Sequence, residues 1–130
     1  MGKKSKTDHL DFEIGFFEKL LEKRPQFFDA LAALGDLYTK KGLYEKGLEI
    51  DQRLRELKPN DPIVLYNLAC SFSLLNNIEQ AITAIQQAFE SGYNNFTYLS
   101  LDPDLNNLRN DDRFRKIFES LGYHNKERRA

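Results

Sequence analysis

Cysteine occurs once, at Cys70, so no disulfide closes within the chain, and a reducing cytoplasm is the setting such a sequence fits. Histidine occurs twice, as His9 and His124, near opposite ends and with no metal-ligand spacing around either. Net charge is almost absent: 19 basic and 20 acidic residues leave −1. That is too weak a field to gather nucleic acid or an anionic membrane surface. Only the ends are basic, with Lys3, Lys4 and Lys6 in front and Lys126, Arg128 and Arg129 behind; short runs of this kind keep termini solvated. No apolar run approaches the ~20 residues a membrane-spanning helix needs. The first ten residues lack the apolar core of a signal peptide. Gly2 lacks the Ser or Thr that myristoylation needs, since Lys6 holds that place. Gly2-Lys3-Lys4-Ser5 resembles the end of a phosphate loop but has no earlier glycine, preceding strand or apolar helix start. Neither nucleic acid nor a membrane is expected as a partner.

What is present is an internal repeat. Leu31-Ala32-Ala33-Leu34-Gly35-Asp36-Leu37-Tyr38 is echoed 34 residues later by Leu65-Tyr66-Asn67-Leu68-Ala69-Cys70-Ser71-Phe72. The shift pairs Leu31 with Leu65, Leu34 with Leu68, Gly35 with Ala69 and Tyr38 with Phe72, so large apolar slots meet large ones and a tiny slot meets a tiny one. It also carries Leu20 to Leu54 to Ala88, and Pro25 to Pro59 to Tyr93. A fixed period of this size marks stacked supersecondary units. The 130 residues form one domain on length.

The punctuation divides the chain into helices. Thr7 or Asp8 caps a first helix of about 9–23, and Arg24-Pro25 ends it, because proline disfavours helical geometry in the preceding residue. A second runs from Gln26 or Phe27 to Lys40, with Gly42 as its left-handed stop. A third spans about Tyr44 to Lys58 on the stripe Leu43, Gly47, Ile50, Leu54 and Leu57. Asp61 caps a fourth, with Pro62 at its first position, that runs to about Leu75. Asn76-Asn77 stands in for the glycine turn, and the fifth covers Ile78 to Ser91, closed by Gly92. Beyond Tyr93 the period decays. Asn95 to Leu99 starts another helix, Asp102-Pro103 cuts it short, and Asp111 caps a last helix with the stripe Phe114, Ile117, Phe118 and Leu121, expected to end at Gly122.

The residues Leu31, Leu34, Gly35, Tyr38, Gly47 and Pro59, followed by Leu65, Leu68, Ala69, Phe72, Ala81, Ile85 and Ala88, resemble the tetratricopeptide repeat. The stretch from Leu101-Asp102-Pro103-Asp104-Leu105 through Leu108 to Phe114 resembles the closing segment found after such repeats in small microbial proteins. The resemblance covers about residues 9–122. It implies an all-α, right-handed α-solenoid of antiparallel helix hairpins. The expected order is a disordered lead (1–7), a half repeat (8–25), repeats at 28–61 and 62–95, a degenerate cap (96–122) and a polar tail (123–130). Three positions depart from the family pattern: Gly47 replaces alanine, Tyr93 replaces proline, and Asp51 replaces a large apolar residue. Asp51 has two readings, a buried carboxylate with a hydrogen-bond partner, or a slight helix rotation that lets Ile50 fill the slot; the stripe through Ile50 favours the second.

No catalytic constellation is present, and no cofactor or metal is expected. Cys70 has no histidine within sequence reach and no electropositive setting of the kind reactive thiols need. Asp102/Asp104 and Asp111/Asp112 sit at helix starts, where carboxylates oppose the helix dipole. What remains is a surface. By the resemblance, the first helix of each unit lines a concave groove, with Asp29, Ala32, Asp36 and Thr39 from one unit and Ile63, Tyr66, Asn67, Cys70, Ser73 and Leu74 from the next. Tyr66 is either an anchor for a partner or packing between hairpins. Family members that clamp a chaperone's C-terminal carboxylate use lysine, arginine and asparagine in the groove. Asp29 and Asp36 stand there instead, so a segment carrying Lys or Arg is the expected ligand. The alternative is self-assembly: the first helix has no partner helix before it, yet carries Phe12, Phe16 and Phe17, so it is a candidate oligomer face.

Overall fold

The computed structural model describes the backbone of residues 6–129 and the side chains of residues 9–121. Within them the chain is helical, with no strand. Five helices follow in antiparallel succession: α1 (Lys6–Lys23), α2 (Phe28–Lys41), α3 (Tyr44–Leu57), α4 (Pro62–Leu74) and α5 (Ile78–Glu90). Each packs on the next. Then come α6 (Phe96–Leu101), a 3₁₀ turn (Pro103–Leu105), α7 (Asn106–Arg109) and α8 (Asp112–Arg129). The turn and α7 pack back onto α4, and α7 and α8 pack onto α5. Most of the lead expected at 1–7 lies outside the described residues, and Lys6 and Thr7 open α1.

The repeat is a packing repeat. Leu31 and Leu65, Leu34 and Leu68, and Tyr38 and Phe72 are all buried in corresponding places. Two apolar clusters result. One joins Ile14 and Leu21 of α1 to Leu31, Leu34, Ile50 and Leu54; the other joins Leu65, Leu68, Ile82 and Ile85 to Leu99, Leu105, Leu108 and Phe114. The clusters meet along α4, where Val64 belongs to the first and Leu65 to the second. The two small slots are tight: a Cβ on Gly35 would come within 3.1 Å of Ile50 Cγ2, and one on Gly47 within 3.1 Å of Thr39 Oγ1. Small residues here let the axes of α2 and α3 approach closely.

The turns obey their local chemistry. Asp61 Oδ1 accepts from the N–H groups of Ile63 (2.9 Å) and Val64 (3.1 Å), capping α4 behind Pro62. Asn76 takes the left-handed conformation at φ 60° in the place glycine holds one repeat earlier. Gly42 has φ 85°, and its N–H closes α2 on the carbonyls of Thr39 and Tyr38. A Cβ there would meet no atom within 4 Å, so Gly42→Ala costs only backbone strain. About 1–2 kcal/mol is expected, read as a lower urea midpoint at unchanged slope. At the C-terminal end too the boundary differs from the sequence expectation: α8 continues past Gly122 to Arg129. Glycine inside a helix costs about 1 kcal/mol relative to alanine but does not forbid it.

Candidate functional site

The faces of α2 and α4 expected to form a groove meet different fates. Asp29, Ala32 and Asp36 are exposed along α2, and Thr39 is half-buried with its hydroxyl on the Gly35 carbonyl at 3.1 Å. Asp36 pairs with Lys40 at 2.9 Å, both in solvent, where such pairs contribute little. On α4, Ile63 and Asn67 are exposed and Leu74 is half-buried. Tyr66, Cys70 and Ser73, expected to be groove-lining, are buried beneath the chain's own C-terminal unit. The Tyr66 hydroxyl donates to Asp102 Oδ2 at 2.6 Å, and its ring stacks on Tyr93 with centroids 4.4 Å apart. The Cys70 thiol lies 3.7 Å from the same carboxylate oxygen. Ser73 Oγ accepts from Leu108 N–H at 3.3 Å, and the Asn107 amide donates to the Ser73 carbonyl at 3.0 Å. Tyr66 is therefore packing between elements rather than an accessible anchor. The clue in the sequence is the spacing of Leu105 and Leu108 after Asp102-Pro103, an apolar pair that needs a surface, and α4 supplies it.

Between α2, α4 and this C-terminal unit a cleft of about 120 Å³ remains. Asp36 and Thr39 line it from α2, Asp51 from α3, Tyr66, Asn67, Cys70 and Ser71 from α4, Tyr98 from α6, and Asp102 and Asp104 from the turn. No lysine, arginine or histidine lines it among the described residues. Tyr98 is 56% exposed. The joining of carboxylates from α2 and α3 to those of the C-terminal turn was not legible in the sequence, because they lie up to 68 positions apart (Asp36 to Asp104).

Asp51 corrects the favoured sequence reading. Ile50 does fill a core slot, against Gly35, yet Asp51 is buried as well, at 7% exposure. Neighbours on a helix point ~100° apart; Ile50 packs in the first apolar cluster, and Asp51 takes a hydrogen bond from the Ser71 hydroxyl of α4. Burial pushes its carboxyl up to about 6; the Ser71 hydroxyl works against this and Asp36 adds to it. Asp104 is raised by burial and then by Asp102 and Asp36. Tyr98 is raised chiefly by Asp102. Burial, then Asp102 and Asp104, push the Cys70 thiol well up, which leaves it a poor nucleophile.

At the other end of the stack, Phe12 and Phe16 of α1 are 78% and 57% exposed, while Phe17 is half-buried. Among the described residues no group of three or more His, Cys, Asp or Glu side chains is placed to hold a metal ion. None of the described helices is long and apolar enough to cross a membrane.

Stacked antiparallel hairpins with a 34-residue period, small residues at the tight crossings and a terminal unit folded over the last hairpin define a helical repeat protein. A tetratricopeptide repeat profile matches residues 63–91, the α4–α5 hairpin, and supports the resemblance to that family. It is also similar to a chloroplastic protein of Arabidopsis thaliana, at 35% identity over 87 residues. The match takes in 65% of this chain but spans only 26% of that relative's length. Repeats of this family generally mediate protein–protein interaction and are generally non-catalytic.

Proposed function

We propose that this protein is a non-catalytic interaction module that holds a basic segment of a partner protein against α2, with a Lys or Arg side chain entering the cleft between α2, α4 and the C-terminal turn. The observation that carries this reading is the cleft's composition: Asp36, Asp51, Asp102 and Asp104 converge from three parts of the chain, and no cationic side chain lines it among the described residues. Carboxylates set in a partly enclosed site attract a cation more strongly than the same groups in open solvent. The exposed ring of Tyr98 adds a face on which an ammonium or guanidinium group rests favourably. The exposed Asp29 and Asn67 extend the surface along α2 and α4. The buried single thiol suits a protein working in a reducing cytoplasm.

The test is a calorimetric and NMR titration with a short blocked peptide of alternating lysine and alanine, and with its glutamate counterpart as control. The lysine peptide is expected to bind and to shift the resonances of Asp36, Asn67 and Tyr98; the glutamate peptide is not. Asp36→Lys weakens binding by about tenfold or more, since it replaces an attraction with a repulsion at the rim. Equal binding of both peptides would sink the reading.

A second reading, self-assembly through α1, is favoured by the exposure of Phe12 and Phe16. Light scattering across a concentration series decides it. A concentration-independent monomer removes it, whereas an oligomer lost on changing Phe12 and Phe16 to serine supports it.

A further inference from the structure

Asp51 stands where the repeat sets a large apolar side chain; one unit later the matching position is Ile85, which is fully buried. A carboxylate buried in an apolar slot is costly unless a cation or several donors attend it. Around Asp51, α2 contributes Asp36, whose own partner Lys40 lies out in solvent. From α4 come the neutral hydroxyl of Ser71, which bonds it, and the protonated Tyr66 and Cys70. The C-terminal unit contributes Tyr98, Asp102 and Asp104. Every charged group in the cleft is therefore an acid.

We propose that occupation of this cleft by a basic side chain is coupled to release of the Asp51 proton. The inference rests on the reading of the cleft as a site for Lys or Arg. In the free protein, burial and the facing Asp36 hold the carboxyl neutral in mildly acidic solution. An entering ammonium or guanidinium group then replaces the proton: a cation arrives, Asp51 loses H⁺ to solvent, and the total charge of the cleft is unchanged. Asp51 is thus a carboxylate that is charged when matched, and affinity for a basic ligand rises with pH through the range in which the free protein still holds the proton.

The sign for stability follows from the same displacement. The Asp51 carboxyl is raised from an ordinary 3.8 to about 6. Its favourable contribution to stability is full below about pH 3.8 and is lost as pH rises through about 6.

The experiment is titration calorimetry with the lysine–alanine peptide at about pH 6 in buffers of different ionisation enthalpy. The expected result is a buffer-dependent heat that reports proton release, largest just below that pH, between the bound and free midpoints, and vanishing toward about pH 8. Asp51→Asn loses most of the buffer-dependent heat, leaving only the share of Asp104, and most of the wild type's decline in melting temperature between the two pKa values. Should that variant fail to fold, the carboxyl carbon of Asp51 in the wild-type protein, followed by NMR, titrates near 6 in the free protein and lower when saturated with peptide. Binding without buffer-dependent heat, or a free-protein midpoint at the ordinary value, overturns the coupling and leaves the site reading standing. Failure of the peptide to bind overturns the site reading, and the coupling with it.

Discussion

Leu68→Ala lowers the unfolding free energy by about 2–5 kcal/mol. Leu68 is 0% exposed and sits in the cluster that joins α4 to α5 and the C-terminal unit. Truncating it removes methyl and methylene groups from a site bounded by helices on several sides, which relax only in part. The loss therefore includes a cavity contribution besides the transfer of the lost carbons. Its repeat mate Leu34, 3% exposed, is expected to respond in the same range. Thr39→Ala is the control: its hydroxyl bonds a carbonyl of its own helix, and a change of under about 0.5 kcal/mol is expected. Urea denaturation followed by circular dichroism measures all three. Similar losses for Leu68 and Thr39 would mean that the 34-residue register is misassigned.

Asp102→Ala is expected to cost about 2–4 kcal/mol, the sum of a lost cap and a stranded buried hydroxyl. One carboxylate serves two elements. Oδ1 accepts from Asp104 N–H at 3.0 Å and starts the 3₁₀ turn; Oδ2 accepts from the Tyr66 hydroxyl at 2.6 Å and ties that turn to α4. Arg109 reinforces the same corner, donating to the Leu99 carbonyl at 2.6 Å and to the Asp102 carbonyl. Hydrogen exchange checks where the loss falls. Amides between Phe96 and Arg109 lose protection first, and those of α2 and α3 keep theirs, because local units open with their own free energies. Tyr66→Phe removes only one of the two bonds and is expected to give about 1–3 kcal/mol of the effect. Uniform loss of protection along the chain would show that Asp102 acts on the whole stack rather than on the fastening of its last unit.

The burial of Tyr66, Cys70 and Ser73 shows where reading from the sequence stopped. The family pattern sets these side chains on the open face of a first helix, and the local period agrees. Whether such a face stays open depends on what the chain does 30 or more residues later. The turn at Asp102 returns Leu105 and Leu108 onto α4, and both are fully buried there. Asp51 failed for a related reason. Its neighbours in sequence, Ile50 and Leu54, gave a stripe that accounts for one face of α3, while the face toward α4 acquires meaning only once Ser71 is placed beside it.

By itself the sequence determined the elements and their order. Proline after Arg24 and Lys58, glycine at position 42, Asn76, and the carboxylate caps at Asp61, Asp102 and Asp111 set helix boundaries through backbone chemistry that acts within a few residues. The 34-residue recurrence set the pairing of large and small slots, because adjacent hairpins must present the same shape to stack. The tertiary structure alone decided which half of the expected groove remains accessible and that four aspartates share a cleft. Both depend on distances between residues far apart in the chain, and neither local propensity nor period carries that information.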